Sequence, residues 1–177
     1  MKKLLCLSAL FTWLALLAGC SSVSVQDYAG NKPRLVIEEF FNGHLIAQGI
    51  VKNRAGKVTR FFRADIMASW KDGVGTLDEK FVFDDGELQS RIWTLQPDGN
   101  GGYIGSANDV VGETRLKLAG NSLFMEYVLR IPYGEDTLDL TIDDRMYLVS
   151  ETVLLNESSM SKWGFGVGEI NLVIEKQ

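Results

Sequence analysis

Beyond Gly43 the chain settles into a period of two, with β-branched and aromatic residues dominating and Gly-bearing turns cutting the pattern into short segments. Successive side chains of a strand point to opposite faces, so such alternation marks half-buried strands rather than helices. Strands are expected near 44–53, 57–70, 75–83, 87–96, 102–108, 113–119, 122–131, 137–149, 152–159 and 166–175. An up-and-down sheet of that many strands either splits into two packed layers or closes on itself. Closure removes the unpaired edges, and a barrel of about eight strands can hold one small ligand. The expected fold is therefore all-β: a lipocalin-like antiparallel up-and-down β-barrel of eight to ten strands with a short N-terminal helix. A two-sheet sandwich is the alternative.

Turn chemistry sets an expected register. Pro33 precedes Leu35-Val36-Ile37-Glu38-Glu39-Phe40-Phe41, spaced for one or two helical turns that Asn42-Gly43 stops. Asn53-Arg54-Ala55-Gly56 suits a three-residue hairpin loop with Gly56 in the left-handed position. Counted back from that loop, Ile50 falls opposite Arg60, Gln48 opposite Phe62 and His44 opposite Ile66. Phe83-Asp84-Asp85-Gly86 has the same chemistry and sets Glu79 opposite Arg91 and Leu77 opposite Trp93. Ala119-Gly120-Asn121-Ser122 pairs Leu118 with Leu123 and Leu116 with Met125, leaving Arg115 to meet Glu126 on the reverse face.

The apolar face of each strand is the expected interior. It carries His44, Ile46, Gln48 and Ile50, then Arg60, Phe62, Ala64 and Ile66, then Leu77, Glu79, Phe81 and Phe83. Trp93, Tyr127 and the even-numbered residues from Leu138 to Leu148 continue it. Four charges fall on this face: Arg60, Glu79, Arg91 and Asp144. An unpaired buried charge costs several kcal/mol, so these must pair with each other or hold something charged. The candidate ligand-binding residues are accordingly Arg60, Glu79, Arg91, Trp93 and Asp144, with Arg60 or Arg91 able to grip a carboxylate or phosphate. The competing expectation is a closed ion network at one end of the barrel, with Arg91 holding Glu79 ionised.

Other features point to no catalytic or metal residue. His44 is the single imidazole and sits at a strand start. No nucleophile elbow surrounds any serine. Asp84-Asp85-Gly86 reads as turn chemistry, and alternation sends Asp143 and Asp144 to opposite faces, so neither suggests calcium. Asn100-Gly101-Gly102 lacks the strand-to-helix setting of a phosphate cradle. Ser159-Met160-Ser161-Lys162-Trp163-Gly164 forms a tight corner suited to packing over a barrel end. One His and two Cys exclude a zinc ribbon or a disulfide scaffold, and no cofactor motif occurs. A net charge of −5 without a basic cluster argues against nucleic acid.

The N-terminus reads as an address. Met1-Lys2-Lys3 precedes an apolar run from Leu4 to Leu17, too short to span a bilayer comfortably, which ends in Leu17-Ala18-Gly19-Cys20. That tetrapeptide resembles the lipobox of bacterial lipoproteins. The resemblance implies a signal peptide over 1–19, acylation of Cys20, a flexible tether over 20–32 and a single barrel domain over 33–177. Ser21 after the modified cysteine, by the sorting rule of enteric-type bacteria, implies the periplasmic face of the outer membrane.

Phe40-Phe41-Asn42-Gly43, Glu79 to Trp93 with its Asp-Gly turn, Asn108-Asp109-Val110-Val111-Gly112, Asp143-Asp144, and Ser161-Lys162-Trp163-Gly164 to Gly168-Glu169 resemble, in combination, an uncharacterised proteobacterial lipoprotein family, domain of unknown function 3833. The resemblance implies no established activity. Members are often encoded near fatty-acid-modifying enzymes of the cyclopropane-synthase type, which implies a link to lipid. The expected function is a membrane-anchored, non-enzymatic binding or carrier module for a fatty acid or lipid-like ligand. A packed structural or accessory envelope protein is the second expectation, and an envelope-lipid enzyme using Glu79, Asp144 and His44 the third.

Overall fold

A computed structural model describes residues 22–177. The stretch expected to be a signal peptide, Cys20 and Ser21 lie outside the described residues. Strands β1 (Gly43–Asn53), β2 (Val58–Lys71), β3 (Val74–Phe83), β4 (Leu88–Pro97) and β5 (Tyr103–Ala107) follow one another as antiparallel neighbours. Then come β6 (Val110–Val111), β7 (Thr114–Ala119), β8 (Ser122–Tyr133), β9 (Asp136–Leu148), β10 (Val153–Lys162) and β11 (Phe165–Lys176). β11 pairs with β1, and β8 pairs with both β7 and β9, so ten strands close into a barrel and the sandwich is excluded. The two-residue β6 pairs only with Val128 and Leu129 of β8. It covers the gap left where β7 pairs with β8 only from Lys117 to Ala119.

Alternation builds the wall as the pattern demands. In β2, buried Phe62, Ala64, Ile66 and Ala68 alternate with exposed Phe61, Arg63, Asp65 and Met67. In β1 the expected inward set is wrong. Leu45, Ala47, Gly49 and Val51 face inward, not His44, Ile46, Gln48 and Ile50, because a β-bulge between Val51 and Lys52 shifts the register by one. Gly49, rather than Gln48, therefore stands opposite Phe62, and Val51, rather than Ile50, opposite Arg60. The expected pairing of Leu116 with Met125 also fails. β7 turns from β8 toward β5, where Leu116 meets Tyr103. Arg115 consequently pairs with Asp98, not Glu126.

One barrel end is closed. Helix α1 (Ile37–Phe40) buries Ile37, Phe40 and the following Phe41 against the core. It is tied to strands around the ring. Trp70 Nε1 at the end of β2 donates to the Phe41 carbonyl at 2.6 Å, Tyr103 of β5 bonds Glu38, and Lys176 of β11 donates to the carbonyls of Phe40 and Asn42. Anchors on separate strands place α1 across the opening as a plug. Buried Gly75 makes room for the Trp70 ring that holds Phe41, since a Cβ there would lie 2.7 Å from that ring.

The expected flexible tether is also corrected. Ser24 caps a 3-10 turn (Val25–Tyr28) through a reciprocal capping box with Asp27, and Val25 is buried. Tyr28 packs its ring against Phe124 and Tyr147 at centroid distances of 5.7 and 5.2 Å. The Tyr28 carbonyl lies where a Cβ on Gly120 would be, and Gly120 has a φ of +54°. Gly120→Ala adds a steric clash to left-handed strain and is expected to cost about 2 kcal/mol or more, read as a lower urea midpoint at unchanged slope.

Candidate functional site

The hairpin loops β1–β2, β3–β4, β8–β9 and β10–β11 surround the end opposite α1, and between them the lumen opens. It encloses a cavity of about 530 Å³ lined chiefly by apolar side chains, among them Phe62, Ile66, Phe81, Trp93, Leu129 and Leu140. All five candidate ligand-binding residues, Arg60, Glu79, Arg91, Trp93 and Asp144, line this cavity.

Depth separates them. Arg60 sits at the mouth, with its guanidinium carbon 3.7 Å from the centre of the Phe83 ring. Its Nη2 donates to Asp85 at 2.9 Å and to Glu87 at 2.7 Å, both from the β3–β4 hairpin. Deeper, Glu79 and Arg91 stand opposite each other as the turn arithmetic requires. Yet the arginine does not spend its planar fork on Glu79. Arg91 Nε and Nη2 both reach Asp109 at 2.9 Å, while Nη1 lies 3.9 Å from Glu79. Asp109 belongs to the loop before β6, whose backbone is held by the Arg130 amide at 2.8 Å. Both guanidiniums expected to grip an anionic head group already engage carboxylates, Arg91 through both arms of its fork and Arg60 through Nη2 alone, its buried Nε having no partner among the described residues.

This geometry reverses the expected ionisation of Glu79. Burial pushes its carboxyl up to about 7; Arg91 opposes this, and the charges of Asp109, Asp144 and Asp78 add to it. Arg91 itself stays ionised, because Glu79 and Asp109 outweigh the cost of its burial. Asp144, 4% exposed, receives Ser158 Oγ at 3.0 Å and the Asn156 side-chain amide, with the Tyr127 hydroxyl at 3.5 Å. Burial raises its carboxyl against those donors and Arg91. The Tyr127 ring meets Trp93 edge-on at 5.4 Å. An acid whose pKa is higher folded than unfolded keeps its proton in the fold while the unfolded chain loses one. Stability from Glu79 is thus complete below pH 4.5 and falls as the pH rises to about 7, by about 3 kcal/mol if nothing relaxes. Glu79→Gln should flatten that slope and raise the melting temperature at pH 8.

Three other expectations resolve at this level. His44 lies outside, its Nε2 3.1 Å from Asp65 Oδ1, so it joins neither Glu79 nor Asp144. Asp143 pairs with Arg145 on the outer face while Asp144 points in, as alternation requires. The Lys162–Phe165 hairpin does not pack over a barrel end; Trp163, at φ +51°, is 86% exposed. Asp109, Asn156 and Ser158 were missed. Asn156 and Ser158 lie on the buried alternation of β10 and were open to the same reading that found Asp144. Asp109 comes from a loop, where alternation has no force.

Fold and cavity together define a closed antiparallel β-barrel of lipocalin-like type with a lumen of ligand size, open at one end. The chain belongs to the family described as a protein of unknown function, DUF3833, whose pattern matches residues 14–176. Among solved structures it is similar to the S-type phycobiliprotein lyase CPES from Guillardia theta, at 17% identity and a TM-score of 0.52, covering 88% of this chain and 98% of that one. It is also similar to EF1p2_mFAP2b bound to DFHBI, at 9% identity and a TM-score of 0.42, over 78% of this chain and 94% of that one. No curated protein sequence matches it.

Proposed function

We propose that this chain is a lipoprotein anchored through Cys20 to the periplasmic face of the outer membrane, whose barrel holds or hands on an apolar, lipid-like ligand with an acyl chain. The observation that carries the reading is the lumen: about 530 Å³ of apolar-walled space, plugged at one end by α1 and open at the other. Ligand sites occupy roughly 300–1,000 Å³, so the cavity is of the right size, and a packed structural core would not leave it. A barrel of this fold is named as a phycobiliprotein lyase, which is in keeping with small-molecule handling. Holding fits the site better than conversion, because His44, Glu79 and Asp144 are not assembled into one acid-base group. The anchor rests on the Leu17-Ala18-Gly19-Cys20 motif.

Native mass spectrometry of the gently purified chain is expected to show a co-purifying lipid that denaturation releases. Repeatedly empty spectra, together with no binding of fluorescent alkyl-chain probes whether their polar end is anionic, neutral or cationic, would refute the lumen assignment. Cys20→Ser is expected to move the protein out of the membrane fraction; retention there would refute the anchor.

A further inference from the structure

We propose that the polar end of the lumen ligand is a positively charged hydrogen-bond donor, a protonated amine on an apolar chain, seated against Glu79. This rests on the lumen-ligand reading above and narrows it.

The argument is one of unspent partners. The mouth cation Arg60 gives Nη2 to Asp85 and Glu87, with its buried Nε left without a partner among the described residues, and the deep cation Arg91 gives both arms of its fork to Asp109. At the depth of Arg91 an anionic head group would have to displace Asp109 and then sit beside Glu79 and Asp144, and the Arg60 Nε offers it a single donor only at the mouth. On the acidic side the count is the reverse. Glu79, Asp109 and Asp144 surround a single deep guanidinium, and Asp144 already accepts from Ser158 and Asn156. Glu79 lines the cavity, its side chain is 12% exposed, and among the described residues no hydrogen bond reaches its carboxyl. A buried acceptor facing empty space is completed by a donor, and a cationic donor also offsets the excess negative charge.

The groups acting on Glu79 come from several elements: Asp78 beside it on β3, Arg91 on β4, Asp109 in the loop before β6, Tyr127 on β8 and Asp144 on β9. Burial keeps its carboxyl protonated up to about pH 7, so an amine should compete with that proton. An amine bound there should hold tighter as the proton is lost, whereas a carboxylate should bind more weakly over the same range.

The test is titration of the purified full chain with dodecylamine, dodecanol and dodecanoate, which share one chain length, at pH 6 and pH 8. Dodecylamine is expected to bind tightest at pH 8 and to gain about ten-fold in affinity from pH 6 to pH 8, as a site titrating near 7 predicts. Glu79→Gln should lower the amine-to-alcohol affinity ratio by about ten-fold and remove its pH dependence. If that variant does not fold, the wild-type pH profile still decides. Dodecanoate or dodecanol binding tightest, or an amine affinity indifferent to pH, would overturn the assignment and leave the lumen reading intact. Binding of none of the three would overturn both.

Discussion

Replacing Arg91 with Met should destabilise the barrel by about 3–5 kcal/mol, because it strips the guanidinium from three carboxyl groups that, among the described residues, have no other cation at that depth. Met keeps much of the buried volume, so the loss reports charge more than packing. The sign with pH discriminates. Below about pH 4 most of these groups carry protons and need no counter-charge, so the deficit should shrink there. Urea unfolding of wild type and variant at pH 4 and pH 8 measures it. An equal deficit at both would mean that Arg91 acts by packing alone. A double variant with Asp109→Asn should recover part of the loss at pH 8, since the two side chains form one unit.

Phe41→Ala is the second large effect, expected at about 3–5 kcal/mol for an aromatic side chain removed from a core. Phe41 is 4% exposed, packs at right angles to Phe40 with centroids 5.0 Å apart, and accepts the Trp70 indole hydrogen through its backbone. Its removal also uncorks the lumen. A hydrophobic dye that brightens in apolar space should reach the variant from the α1 end, while near-ultraviolet dichroism loses the Trp70 signal. A stability loss under 1 kcal/mol would show that α1 is an ornament on an otherwise closed barrel.

Much of the wall was legible because strand periodicity and turn chemistry are local properties. Glu79 opposite Arg91 follows from Phe83-Asp84-Asp85-Gly86 alone, and the hydrogen bond from the Phe83 amide to the Glu87 carbonyl closes that turn as its residues dictate. β1 was not legible to the same degree. The bulge at Val51 and Lys52 is an extra residue that no turn signal announces, and one residue is enough to exchange Ile50 for Val51. Long-range partners were the harder loss. The Arg91 to Asp109 fork joins a strand to a loop 18 residues on, and the expectation that Glu79 would be held ionised failed because burial outweighs Arg91, with the Asp109 charge adding to it. Tyr28 shows the same limit on the outside, where a polar stretch reads as slack chain until its aromatic neighbours across the sheet are known.

The two-residue β6 is the thinnest stitch in this wall. Most strands are laced to their neighbours along much of their length, yet β7 shares only short ladders with β5 and β8, and beyond them the far half of β8 is covered by Val110 and Val111, with Asp109 knotted to Arg91 just behind them. Local opening follows the lowest count of bonds to be broken. The barrel is therefore expected to unbutton first along this seam, and the latch on that side door is the same carboxylate that pairs with the buried Arg91 of the chamber.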